Sequence, residues 1–185
     1  MFEFKIMTEK DLPLVLLWRT EEDITKCLFT DLDQPSLENQ RAWFKKITAD
    51  PSCNYWMVYM NKSPIGVIFI TEIDHTHHRA SYGTYIGVSD KRKFGGFVMP
   101  TFYNYVFSQE GLGLHKLCWE VLSWLTNVID LHKFHGAKIV GTARDHVFKN
   151  NIWQDVVIME LLSSDWHKDT RWHKMIGSFE PCPKW

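Results

Sequence analysis

At 185 residues, with 45% apolar and 23% charged side chains, the chain has the size and balance of one globular domain with one core. A net charge of −1 supplies no broad basic field for nucleic acid. No apolar run reaches the roughly 20 residues that span a bilayer, and the N-terminus MFEFKIMTEKDL lacks the apolar stretch of a signal peptide.

The four cysteines, Cys27, Cys53, Cys118 and Cys182, are widely spaced with no C-x-x-C pair. That pattern argues against a zinc site or a disulfide framework and fits a reducing cytoplasm, which is the expected location. Nine Trp and twelve Phe imply a dense aromatic core, with a few rings left for a pocket.

FEFKIM alternates apolar and polar residues and predicts a first strand. Thr8 followed by Asp11 resembles a capping box that opens a helix through Leu12, Val15 and Leu16, with Pro13 tolerated in its first turns. A short helical piece is expected over 22–27. Ser36 can cap a further helix whose Leu37, Arg41, Phe44 and Ile47 share a face, and DPSCN ends it. Two strands, YWMVYM and PIGVIFITEI, flank the turn NKSP. DHTHHR reads as a solvated loop, since H-x-H-H lacks further ligands for a metal.

RASYGTYIGVS predicts a fourth strand, DKRKFGG a loop, and 98–107 a helix broken by GLGLH. KLCWEVLSW is a fifth strand, 126–134 a helix closed by Gly136, and KIVGTARDHVF with QDVVIMELL a hairpin around KNN. From about Ser164 the periodicity fades. The expected architecture is α+β: a central mixed, mostly antiparallel sheet with helices on both faces.

Glu120 lies inside the apolar strand LCWEVL. Either it faces a cavity, where burial would tune it for proton transfer, or it points to solvent from the strand's open face.

The stretch from Trp119 to Trp166 (WEVLSW, TNVIDLHKFHGAK, IVGTARDHVFKNN, DVVIMELLSSDW) resembles the C-terminal half of a GCN5-related N-acetyltransferase, or GNAT. The element order resembles that family over roughly residues 3–166, which suggests a catalytic domain over 1–166 and a tail over 167–185. The resemblance implies transfer of acetyl from acetyl-CoA directly to an amine, with no covalent enzyme intermediate.

It also implies site residues. Glu120 would be the base, acting through one water, and His132 stands where the family has the Tyr that protonates the departing thiolate, either as that acid or as a contact to the pantetheine arm. An unperturbed imidazole, near pKa ~6.5, suits that transfer. A backbone N–H among Ile86, Gly87 and Val88 would hold the oxyanion. The family's phosphate loop, (R/Q)-x-x-G-x-(G/A), maps onto Arg92-x-x-Gly95 or Lys93-x-x-Gly96. Lys93, Phe94, Gly95, Gly96, Phe97 and Val98 would then cradle the pyrophosphate at a helix N-terminus. Asn127 stands in for the Asn that usually follows the strand, where this chain has Leu125.

WRTEEDITKCLFTDLDQPSLENQRAWFKKI and FKNNIWQDVVIMELLSSDW resemble a narrower group. These are the nucleotide-amino-sugar acetyltransferases of pseudaminic acid biosynthesis, with parts shared by ribosomal-protein alanine acetyltransferases. The narrower resemblance implies a UDP-linked amino sugar as acceptor. Arg19 would pair with its phosphate and Thr71 with the nucleotide. Tyr85, Trp18, Phe29 or Trp43 would stack on a ring. A protein N-terminus, a polyamine or an aminoglycoside is the alternative amine, and an acyl-CoA-binding protein without turnover a second alternative. Neither nucleic acid nor membrane is expected as partner, no metal is expected, and a homodimer is compatible with the reading.

Overall fold

The computed structural model describes residues 1–182. In chain order it comprises β1 (Phe2–Ile6), α1 (Leu12–Arg19), α2 (Glu22–Thr25), α3 (Leu37–Ala49), β2 (Asn54–Met60), β3 (Ser63–Asp74), β4 (Arg79–Ile86) and α4 (Gly95–Phe107). It continues through β5 (Lys116–Leu122), α5 (Thr126–Phe134), β6 (Lys138–Lys149), β7 (Ile152–Leu162), α6 (Ser163–Lys168) and β8 (Ser178–Phe179). The local signals that predicted these elements are visible in place. The Thr8 N–H donates to the Asp11 carboxylate at 2.8 Å, and Ser36 Oγ accepts from the Asn39 N–H at 3.2 Å. Gly136, at φ +95°, ends α5.

The strands form one eight-stranded sheet in the order β6-β7-β5-β4-β3-β2-β1-β8. Every neighbouring pair is antiparallel except β4–β5 and β1–β8. The α+β architecture expected from the sequence is therefore present. On one face α1 packs Leu12, Val15 and Trp18 against Met57 and Val67 of the sheet. On the other, α4 and α5 bury Phe102, Tyr103 and Ile129 against Trp56, Ile68, Tyr82 and Trp119.

The central parallel pair is short. β4 and β5 are joined only at Arg79–Lys116, Ala80–Leu117 and Ser81–Cys118. Beyond them, Tyr82–Ile86 on one strand and Trp119–Leu122 on the other part into a fork. Their first unpaired residues, Tyr82 and Trp119, put rings against each other at 4.8 Å.

The stretch read as a tail joins the fold. β8 adds to β1, Phe179 stacks on Phe4 at 4.0 Å, and Glu180 accepts from Ile6 N–H and Trp56 Nε1 through its carboxylate and carbonyl. This covering of the β1 edge rests on a single two-residue strand and half-buried rings, which leave no periodic signal in sequence. The last part of the expected tail, 183–185, lies outside the described residues.

Candidate active site

Helix α5 carries His132 into the core beneath the fork. The imidazole is 4% exposed and lies 4.9 Å from the Trp119 ring. Its Nδ1 sits 3.2 Å from Tyr82 Oη and 3.3 Å from Tyr103 Oη, and the two hydroxyls are hydrogen-bonded to each other. Two hydroxyl protons among three acceptors are fully used when one tyrosine donates to the other and the second donates to Nδ1. The proton of the neutral ring then resides on Nε2, an assignment made from the hydrogen-bond network.

Burial, and secondarily the neighbouring His135, push the His132 pKa down to about 3. The unperturbed value near ~6.5 therefore does not hold in the fold: the ring is neutral at pH 7, because the charged form would have to be desolvated among tyrosines and tryptophan. His132 can offer a neutral N–H, not a readily released proton.

Glu120 follows Trp119 and points to the opposite face. Register places it on the same side as Cys118 and Ser81, the side that carries α1 and α3. Its side chain is 40% exposed, so the buried carboxylate of the first alternative is not found; the open-face alternative is. The carboxylate approaches His146 Nε2 at 3.8 Å. His146 reaches it from β6 because the β6–β7 register slips between Ala143 and Val147, with Asp145 at φ +48° and its N–H held by the Asp155 carboxylate at 2.9 Å. Nothing in the linear sequence pairs His146 with Glu120; a bulge is invisible to strand periodicity.

The basic loop differs from expectation. A 3-10 turn spans Ser89–Phe94 and runs directly into α4, which starts at Gly95 rather than at 98. Lys93 and Phe94 thus lie in that turn, while Gly95, Gly96, Phe97 and Val98 form the first turn of the helix. A Cβ on Gly95 would lie 3.7 Å from Ile86, and one on Gly96 3.4 Å from Leu131, both ordinary contact distances, so packing does not demand glycine at either position. No acidic residue occupies this first turn, so its positive end is not neutralised. Arg92 is not aimed at a phosphate; it pairs with Glu21 at 3.0 Å and Asp23 at 3.1 Å.

Among the oxyanion candidates, the Val88 N–H already donates to Ile65 O at 3.2 Å, which removes it; Ile86 and Gly87 remain at the open end of β4. Gly87 is required for packing, since a Cβ there would meet the Trp18 ring at 2.0 Å. Trp18, 3% exposed, is consequently spent on Gly87 and is unavailable for stacking on a ligand. Asn127 is exposed on the first turn of α5.

The α1 face holds a cavity of about 610 Å³, lined by Arg19, Thr30, Asp33, Trp43, Phe69 and Tyr85 among others. Two of the three expected acceptor residues, Arg19 and Tyr85, are here. Thr71 is on the same face one row beyond Phe69, opposite Ser81 at the base of the fork, and does not line the cavity. Tyr55 and Phe69 stack at 4.9 Å, with Trp43 edge-on to Tyr55 at 5.3 Å. Burial pushes Tyr55 up to about 12 and Tyr85 higher, with the Arg19 charge partly opposing both, so the wall stays uncharged apart from Arg19 and Asp33.

Arg19 donates from Nη2 to Thr30 O at 3.1 Å and Oγ1 at 3.3 Å, while its Nε is buried without a partner. Among the described residues no carboxylate pairs with it.

A forked parallel pair, a glycine-rich helix start beside it and a half-open pocket on the far face suit a bound thioester approached by a nucleophile. The profile of the acetyltransferase (GNAT) domain matches residues 4–158. The chain therefore belongs to the GNAT family and is an N-acetyltransferase that takes its acetyl group from acetyl-CoA.

Solved structures agree on the fold. Spermidine N-acetyltransferase from Vibrio cholerae, in complex with CoA and spermine, superposes with a TM-score of 0.81 at 21% identity, covering 90% of this chain and 98% of that one. A chimera of the Vibrio cholerae enzyme and hSSAT gives 0.79 at 22% identity, covering 91% and 99%. None of the curated proteins compared matches the sequence. No helix among the described residues is long and apolar enough to cross a membrane.

Proposed function

We propose that the acceptor is an amine on a nucleotide-linked amino sugar, the 4-amino group of a UDP-linked amino-deoxy sugar. The observation that carries this is Arg19. A guanidinium on the wall of the cavity, with a buried unpartnered Nε and no carboxylate partner among the described residues, is a poor neighbour for a polycation and a good one for a diphosphate. Aromatic walls from Trp43, Tyr55 and Tyr85 suit a uracil or sugar ring.

In the proposed reaction Glu120, on the cavity's face of the sheet, takes the first proton from the acceptor ammonium through a water. The nitrogen then attacks the thioester carbonyl, and the oxyanion is met by a backbone N–H of Ile86 or Gly87. Collapse breaks the C–S bond. The second proton of the attacking nitrogen leaves with the sulfur, whose negative charge is met by a neutral N–H donor, the role left to His132. The pyrophosphate of the donor would rest at Lys93, Phe94, Gly95, Gly96, Phe97 and Val98, with Asn127 beside the pantetheine arm.

A polyamine acceptor is the second reading, favoured by the neighbouring spermidine acetyltransferases and by Asp33 in the cavity wall. Release of free thiol from acetyl-CoA, followed with UDP-4-amino sugars and with spermidine, separates the two. The expected result is turnover with a UDP-amino sugar at least ~100-fold more efficient than with spermidine, and loss of most of that preference in Arg19→Met. The opposite preference in the wild type would replace the sugar by the polyamine.

A further inference from the structure

We infer that Lys149 is a positioning residue for the acceptor: its buried ammonium holds the cavity wall that selects the amine. The inference rests on the cavity being the acceptor site.

Lys149 is the last residue of β6, beside the turn residues Asn150 and Asn151, which have φ of 54° and 60°. Its side chain is only 5% exposed. Nζ donates to Thr25 O at 2.5 Å and to Leu28 O at 2.7 Å, and lies 2.9 Å from Asp31 Oδ1. An ammonium has three N–H groups. Each is taken, so Lys149 has no donor left for a ligand and cannot act on substrate directly.

A fully paired buried lysine adds little to stability over an apolar residue of the same size. Its effect lies in what it holds. Thr25 and Leu28 are at and just past the end of α2, where a cation is favoured beside the last carbonyls; the Thr25 carbonyl also accepts from the Leu28 N–H at 3.0 Å. The chain from there to Ser36 runs without a further helix or strand, and its Thr30, Leu32, Asp33 and Gln34 form one side of the cavity. Arg19 grips the same segment at Thr30 from α1. The wall is thus held between a cation from α1 and a cation from the β6–β7 hairpin, and nothing periodic in its own sequence fixes it.

Lys149→Met keeps the stem and removes the three donors. Hydrogen exchange in the free enzyme should quicken across residues 25–34 and stay unchanged in the central strands. With acetyl-CoA saturating, KM for the acceptor should rise about tenfold while kcat and KM for acetyl-CoA stay within about twofold. Asp31→Asn, at a carboxylate half exposed to solvent, should fold and give the same pattern more weakly, and it serves if Lys149→Met does not fold. Unchanged exchange over 25–34 in the variant that folds overturns the role of Lys149 and leaves the acceptor site standing. Local loosening with an unchanged acceptor KM overturns the inference together with the assignment of the cavity. Exchange quickened throughout the sheet, with both KM values raised alike, makes Lys149 a structural residue and overturns it as well.

Discussion

The fork and the acceptor wall are built on different principles. The fork lies between two strands whose register is fixed on both outer sides: β4 by its antiparallel partner β3, β5 by β7. Its apex is closed by rings, Tyr82, Trp119, Tyr103 and His132, packed within one buried cluster. The acceptor wall, by contrast, is irregular chain gripped by long cationic side chains: Arg19 at Thr30, and Lys149 at Thr25, Leu28 and Asp31. Packed strands give a chemistry site tolerances of a fraction of an ångström; a clamped loop can be re-cut by moving a few charges. The part shared by all acetyl transfer sits on the first kind of support, and the part that chooses an acceptor on the second.

The largest effect that would sharpen this contrast is at Glu120, which sits at the fork but faces the wall's side. Glu120→Gln should cut turnover at least ~100-fold with acetyl-CoA affinity retained, as expected for loss of a general base. Steady-state rates and calorimetric titration of the cofactor check both halves, and full activity would strip Glu120 of the role.

Next is the rigidity of the fork. Gly87→Ala drives a methyl into the Trp18 ring, where there is no room within 2.0 Å, and should cost about 1–3 kcal/mol in urea unfolding. A neutral result would show that β4 bends there freely, and the comparison with the clamped wall would fail.

The smallest effect concerns His132. Its folded pKa, about 3, lies below the unfolded value near ~6.5, so between them the unfolded chain binds more protons. The stability linked to the neutral ring is therefore complete above about pH 6.5 and is lost as pH falls toward 3; His135, pushed by burial to about 4, adds in the same direction. His132→Phe should fold, slow turnover about tenfold through the lost N–H donor, and flatten the fall of the urea midpoint between pH 7 and 5. An unchanged slope would mean that the ring is hydrated in the folded state, and the fork is then less tightly closed than its rings imply.

Much of the chemistry half was legible in residues. LCWEVL and VIDLHKFHG identified the strand and the helix that meet at the fork, and the hairpin around KNN was read within a few residues. What failed there did so for physical reasons. Alternation alone does not say which face of β5 meets solvent, so Glu120 could be read as buried. A lone helical histidine carries no sign in sequence that two tyrosines from β4 and α4 will surround it. Helix α4 begins three residues before the predicted start, because Gly95 and Gly96, poor helix formers, give no local sign that they are helical.

Local pattern by itself determined the kind and order of most elements, because periodicity, capping residues and glycine stops act within a turn or a strand; the acetyl-CoA chemistry came from the resemblance of LCWEVL and VIDLHKFHG to the GNAT family. Only the tertiary structure decided which charges are spent and which are free. Arg92 and Lys149 are consumed by partners 69 to 124 residues away, while Arg19 faces a cavity with an unpartnered nitrogen. Electrostatic partnership depends on distance in space, and the chain reports only distance along itself.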